Sequence, residues 1–282
     1  MEHTVRRADR RRRIVSSATG AITALCALFA VAMLGLILGY IVWRGVGSLS
    51  FQFLIAEPQP VGEGGGIGNA IVGSFTMLML AAAIGLPLGI SIGIYLAELG
   101  GGHFASAVRF ITDTLTGVPS IVVGVFVYTI IVLPMQRFSA LAGGVALALV
   151  MIPIVARTTE EMIRLVPTSM REGALALGAP QWRVTLGVVL PAAASGIATG
   201  AMLAVARVSG ETAPLLFTAL GSRFFNFYEL DQPMASLTVQ IYNYAISPYD
   251  EQHAQAWAAT LVLMTLILAI NIAVRFLTRR RF

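Results

Sequence analysis

Arg207 and Glu211 are the two residues of this chain whose charge most needs an explanation. Both fall in an apolar stretch, 187–217, long enough to cross a bilayer. A charge in hydrocarbon is costly and normally faces a water-filled cavity or an opposite charge. The i, i+4 spacing puts both side chains on one helix face, close enough to pair. Two readings stand side by side. In one, Arg207 is a cationic station for an anion and Glu211 holds its guanidinium in place; the planar fork of arginine suits phosphate oxygens. In the other, the two residues form a structural ion pair that locks helices together. Counting about 1.5 Å per residue from Pro191 puts Arg207 about 24 Å along the helix, in the outer half of the membrane.

A second candidate lies in the stretch 107–134. Gly117 and Pro119 can interrupt a helix there, and Ser120 would follow in the first turn of its continuation. Free N–H groups at such a restart attract anions, and broken helices at this depth mark binding sites in transporters. A simple proline kink is the plainer expectation. Asp113, just before the break, reads as a gate or as the partner of an arginine.

The third set, Ser169, Arg171, Glu172, Gly173, Ala174, Gly178 and Pro180, lies in a polar connection between apolar stretches, 157–186. Ser169 and Glu172 have the spacing of a capping box, each satisfying the other's backbone N–H. Gly178 suits the left-handed residue that ends a helix, and Pro180 the first turn of the next. A helical hairpin follows, with a first helix over about 169–177.

Six apolar segments must position these residues: 20–43, 69–97, 107–134, 139–163, 187–217 and 254–277. The first ends at Tyr40, Trp43 and Arg44, an interfacial belt and not a cleavage site, so it stays as a helix. With a cytoplasmic N-terminus, fifteen arginines fall inside and three outside, counting Arg6, Arg7, Arg10 to Arg13 and Arg279 to Arg281 among the former. Both termini are therefore expected in the cytoplasm of a multi-pass inner-membrane protein. Residues 1–19 read as an arginine-rich tail, 20–68 as the first span and its outer loop, and 69–282 as the core. The long outer loop 218–253 carries Phe224, Phe225, Phe227, Tyr228, Tyr242, Tyr244 and Tyr249, an interfacial set, with a helix over Met234 to Ala245 lying at the interface. Ser247 reads as the cap of the last span. Gly85, Gly89 and Gly93, and Ala192, Gly196, Gly200 and Ala204, form small-residue ladders that let helices pack closely in lipid.

Composition excludes several classes. The chain is 57% hydrophobic and 12% charged, too apolar for a soluble domain of 282 residues. Every one of its 19 basic residues is arginine. Without lysine there is neither the phosphate-gripping loop of an ATPase nor a Schiff base. His3, His103 and His253 are too scattered to suggest a metal site, and Cys26 is alone. The positive charge reflects topology and lipid headgroups, with no need for a nucleic-acid partner. No covalent chemistry and no bound cofactor are expected, and the absence of internal repeats argues against a stand-alone secondary transporter.

Glu172-Gly173-Ala174, Gly178, Val188 and Leu190-Pro191 resemble, spacing for spacing, the signature loop of ABC-importer permeases, with Gly173 where that family usually has alanine. Ala206 to Thr218, Gly117 to Gly124 and Asp231 to Met234 resemble stretches of PstA-type permeases of the phosphate-specific transport system, so the resemblance covers most of 69–280. It implies an all-α type I importer permease of six transmembrane helices that translocates phosphate, with sulfate or molybdate as the nearest alternatives. It implies a hairpin that couples to a separate ATPase carrying ATP and magnesium. The implied partners are a homologous second permease, two ATPase copies and an extracytoplasmic phosphate-binding protein.

Overall fold

The computed structural model describes residues 2–225 and 229–279. Phe227 and Tyr228 of the aromatic set, and Arg280 and Arg281 of the basic C-terminus, lie outside the described residues. So do the side chains of His3, Arg6, Arg7, Arg10, Arg11, Arg275 and Arg279. Among the described residues there is no β-strand, only an isolated bridge between Pro58 and Gly65.

Among the described residues eleven helices carry the fold, beside a single 3-10 turn at Val46–Ser48. They are α1 Glu2–Gly45, α2 Phe51–Ile55, α3 Gly68–Leu99, α4 His103–Gly117, α5 Ser120–Met135, α6 Ala140–Arg164, α7 Thr168–Ala176, α8 Gln181–Val208, α9 Ala213–Thr218, α10 Leu237–Ala245 and α11 Asp250–Arg279. Among the described residues five stretches are long and apolar enough to span a membrane unbroken: Val15–Ser48, Gly68–Leu99, Ala140–Arg164, Gln181–Val208 and Asp250–Ile272. α4 and α5 together make the sixth, but they meet at 105°. The break at Val118-Pro119 is therefore far sharper than the proline kink expected of this segment. Proline excludes the α conformation from Val118, which is extended (ψ 129°), and lacks the N–H to continue the ladder.

α6 is the axis of the molecule. It is buried on nearly all sides because small residues let its neighbours approach. A Cβ built on Gly85, Gly89 or Gly93 of α3 would meet Met151, Val155 and Thr159 of α6 in turn. Gly196 and Gly200 of α8 lie against Met162 and Thr158 in the same way. Both ladders thus serve packing, as their spacing implied. Around this frame Met77, Leu147, Met151, Val155, Val208 and Leu215 form one contiguous core. Ser139 caps α6, its hydroxyl accepting from the N–H of Ala142 at 3.1 Å.

α1 stands apart. Its apolar window has no buried residue within the chain, and near its end it meets α11, where Tyr40 stacks edge-to-face on Trp257 and Gly45 lies against the Trp257 carbonyl.

At one end of the bundle, which we call the loop end, the long connection after α9 folds back into the structure. Ser139 N–H donates to the Thr218 carbonyl, Ala140 to that of Gln232 and Leu141 to that of Leu230. Arg137 pairs with Asp231 at 2.7 Å. α10 does not lie flat at an interface. Leu237, Thr238, Val239 and Gln240 are buried, and Ser74 of α3 accepts from the Leu237 N–H at 2.7 Å. Its cap is Ser236, so the helix begins three residues later than expected from Met234. The last span begins at Asp250, and Ser247 accepts from the Tyr249 N–H just before it.

At the opposite end, α7 and the start of α8 form the expected hairpin. Gly178 has φ of +82°, and the N–H groups of Gly178 and Ala179 bond the carbonyls of Leu175 and Ala174. That paired pattern closes the helix end and requires the left-handed residue. The capping box is not formed. α7 starts at Thr168 after Pro167, with no side-chain cap, so Ser169 is already inside the first turn and Glu172 has no cap to reach back to. Pro167 fixes the entry instead, and Pro180 stands just before the next helix and not within its first turn.

Candidate functional site: an arginine-lined cavity at mid-membrane

A cavity of about 240 Å3 opens where span three breaks. Its walls are Leu115, Val118, Pro119 and Ser120 at the break, Val150 and Ile154 of α6, and Arg207 in the last turn of α8. Val150 and Ile154 are the eleventh and fifteenth residues of a 25-residue helix, so the cavity sits near the middle of a span of about 37 Å. The antiparallel register agrees. Gly200 meets Thr158, and seven residues further along α8 Arg207 stands level with about Met151. Arg207 is thus at mid-depth, not in the outer half.

The structure brings Arg207 and Ser120 together and leaves Glu211 out. α8 ends at Val208, and Ser209 and Gly210 turn the chain before α9 begins at Ala213. With the helix broken, Arg207 and Glu211 no longer share a face, and no ion pair joins them among the described residues. Glu211 is used through its backbone, its carbonyl accepting from Thr238 Oγ1 at 2.9 Å. Among the described residues Arg207 makes neither an ion pair nor a side-chain hydrogen bond, and it is exposed on the face that the isolated chain leaves open. An arginine without a counter-ion at this depth is what an anion would meet. The second break has a signature that could have been read: Gly210 cannot hold a helix well, and Pro214 takes the first turn of α9.

The two loop-end half-helices, α5 and α9, pack together. A Cβ on Gly124 would stand 2.7 Å from Pro214 Cα, so only glycine allows this approach. The cavity is therefore framed by two interrupted helices, whose free backbone N–H and C=O groups are tolerated at membrane depth where they face a polar space.

Asp113 is not in the cavity lining. It lies one turn away toward the hairpin, where Arg157 Nη1 stands 3.6 Å from its Oδ1. This belongs to a larger cluster that the sequence did not single out. Glu160, buried to 2% exposure, receives Arg109 Nε at 3.0 Å and Arg164 Nη2 at 2.6 Å on one carboxylate oxygen. Arg157 bonds Glu161 at 2.9 Å. The i, i+3 and i, i+4 spacing of Arg157, Glu160, Glu161 and Arg164 was the available signal.

The hairpin is joined to the spans through Arg171. Its Nη2 donates to the Ile163 carbonyl at 2.8 Å and lies 2.9 Å from Glu98 Oε1, while Thr185 Oγ1 donates to Glu98 Oε2 at 3.3 Å. Glu98 and Thr185 both sit on π-helical turns, Tyr95–Leu99 and Thr185–Val189. Such turns widen a helix locally and often mark functional positions. Glu172 and Gly173 are exposed, Glu172 without a side-chain partner among the described residues, and Leu175 and Leu177 are exposed with them, Leu177 at 90%. Among the described residues no group of three or more His, Cys, Asp or Glu is placed to hold a metal ion.

The arrangement of broken spans around a mid-membrane cation, with a helical hairpin at one end, defines a solute-translocating membrane subunit. The chain belongs to the family of binding-protein-dependent transport system inner membrane components, whose model matches residues 89–282. It is 47% identical over 256 residues to the phosphate transport system permease protein PstA of Yersinia pestis, covering 90% of this chain and 86% of that one. It is 45% identical to the protein of the same name from Haemophilus influenzae, covering 85% of each. Among solved structures it resembles an inward-facing MetNI methionine ABC transporter, with a TM-score of 0.62 at 20% identity over 76% of this chain and 96% of that one. An amino acid ABC transporter with histidines gives 0.58 at 18% identity, over 76% and 92%. These likenesses establish the all-α importer-permease fold. The chain is a permease subunit and not itself the ATP-hydrolysing one.

Proposed function

We propose that this chain forms one half of the pathway by which inorganic phosphate enters the cell at the expense of ATP hydrolysed on another subunit. The relatives named as phosphate permeases support the substrate. The observation that carries the site assignment is Arg207, an arginine without a protein counter-ion in a mid-membrane cavity beside the break of span three. Its fork would accept two phosphate oxygens, and Ser120 would offer a hydroxyl across the cavity. Once the open face at Arg207 is covered in the assembled pathway, the lower dielectric makes one guanidinium count for more than it would in water.

The hairpin end is the cytoplasmic end in this reading, which puts both termini in the cytoplasm. α7 and the turn that ends it, with exposed Glu172, Gly173, Leu175 and Leu177, dock a cytoplasmic ATPase that carries ATP and magnesium. Two ATPase copies, a homologous second permease covering the open face at Arg207, and a phosphate-loaded binding protein at the loop end complete the assembly. Residues 69–282 act as the core, with 157–186 as the coupling loop. The arginine-rich tail contacts anionic headgroups.

The test is ATP-dependent uptake of radiolabelled phosphate by the reconstituted complex, with sulfate and molybdate as competitors. Uptake that neither competitor reduces supports phosphate. Equal uptake of sulfate would replace it with a general oxyanion permease, and uptake by this chain alone without an ATPase would replace the importer by a channel.

A further inference from the structure

Two ion pairs of opposite polarity join α4 to α6, one above the other. Nearer the hairpin, Arg109 of α4 bonds Glu160 of α6 at 2.9 to 3.0 Å, with the carboxylate buried. One turn further along α4, Asp113 faces Arg157 of α6 at 3.6 Å, both side chains about half exposed. The first rung is close and buried, the second long and wet. Such a difference makes one a pivot and the other a contact that opens cheaply.

The second rung has a particular location. Asp113 is two residues before Leu115, and Arg157 three residues after Ile154; Leu115 and Ile154 both line the Arg207 cavity. The pair therefore spans the two helices immediately on the hairpin side of the cavity. α4 is the less embedded side, since Ala105 and Thr112 are its only buried residues. Arg157 is the fixed side. It is held on its own helix by Glu161 at 2.9 Å, with the second oxygen of Glu160 at 3.9 Å. If α4 swings away about the Arg109–Glu160 rung, Asp113 leaves and Arg157 stays.

We propose that Asp113–Arg157 is the latch that closes the Arg207 cavity toward the hairpin end, and that Arg157, once released, is the next cation an anion meets on leaving Arg207. Asp113 and the departing anion then alternate on one guanidinium. This rests on the reading of Arg207 as the anion station, and it adds a direction and a second station to it.

The experiment uses the whole complex in vesicles that expose the hairpin end. Cys26 is replaced by serine, and Ser120→Cys places a thiol in the cavity. The labelling rate of that thiol is measured with an anionic and with a cationic membrane-impermeant methanethiosulfonate. Asp113→Asn is expected to raise the anionic rate at least tenfold, whereas Asp113→Glu, which keeps the carboxylate, leaves it unchanged. Adding Arg157→Gln to Asp113→Asn is expected to lower the anionic rate several-fold from that of Asp113→Asn alone, leaving the part due to Arg207, while access by the cationic reagent stays high. Equal rates with and without Asp113→Asn overturn the latch. An anionic rate that Arg157→Gln leaves unchanged overturns the second station. Co-purification of the ATPase checks that each variant assembles, and phosphate uptake by the unmodified complex separately tests the reading on which this depends.

Discussion

The ladder Gly85, Gly89, Gly93 gives a graded prediction. A methyl group at each position meets a different obstacle on α6. At Gly85 the nearest atoms are the Met151 Cβ and thioether sulfur, both at 3.2 Å, and the flexible end of that side chain can move aside. At Gly89 the methyl group would lie 2.7 Å from Val155 Cβ and 3.0 Å from the Ile152 carbonyl oxygen. At Gly93 it would lie 2.5 Å from Thr159 Cβ and 2.7 Å from the Ala156 carbonyl oxygen. A β-branched Cβ and a backbone oxygen cannot rotate away, so α3 and α6 must part by roughly 1 Å to restore ordinary contact. Glycine to alanine in a helix gains up to about 1 kcal/mol in propensity, and overpacking costs about 1–3 kcal/mol. Gly85→Ala should then be neutral to slightly stabilising, Gly89→Ala should lose about 0–1 kcal/mol, and Gly93→Ala about 1–2 kcal/mol. Thermal unfolding of the purified complex in detergent should show midpoints falling in that order. Equal shifts at the three positions, or the largest loss at Gly85, would refute the idea that backbone approach decides the cost. The result bears on function, because α6 carries Val150 and Ile154 of the cavity wall.

Other consequences can be checked separately. Glu160→Gln keeps the shape but leaves Arg109 without its charge partner; it should cost about 2–4 kcal/mol, below the full penalty for a buried pair because Arg109 and Arg164 are partly exposed. Arg164→Gln, with a half-exposed side chain, should cost less than about 1 kcal/mol in the same melting assay. Gly178→Ala forces a Cβ into φ of +82°; it should cost about 1 kcal/mol and raise hydrogen exchange at Gly178 and Ala179. Burial raises the Tyr244 phenol above its usual value, outweighing the opposing hydrogen bond from Gln240 and the charge of Arg223. Because the folded value lies above the unfolded one, the associated stability is present below about pH 10 and is lost as pH rises through the folded value. Alkaline titration followed by phenolate absorbance should show one late-ionising tyrosine, absent in Tyr244→Phe.

Much of the site was legible in the sequence because its residues break rules locally. An arginine in an apolar run, a Gly-x-Pro at mid-span and a glycine placed to end a helix each announce themselves without tertiary information. Arg207, Ser120 and Gly178 were found in this way. Glu211 failed because pairing at i, i+4 presumes an unbroken helix, and Ser209-Gly210 ends it. Ser169 failed because Pro167 takes the N-cap position and sets the helix start two residues earlier than a capping box on Ser169 would. Glu98 and Glu160 were missed for a different reason. Their partners come from helices distant in sequence, Arg171 and Arg109, and nothing local marks a carboxylate near a span end as buried. The angle of 105° between α4 and α5 is likewise a tertiary result: proline dictates that a break exists, and packing of Gly124 on Pro214 dictates where the second half goes.

The central claim is that Arg207 holds the transported anion, and its most direct test is ATP-driven phosphate uptake by vesicles containing the complete complex with Arg207→Gln. Uptake should be lost while the complex still assembles and its ATPase still turns over, since Arg207 supports no ion pair or side-chain hydrogen bond among the described residues. Uptake at the wild-type rate in that variant would contradict it.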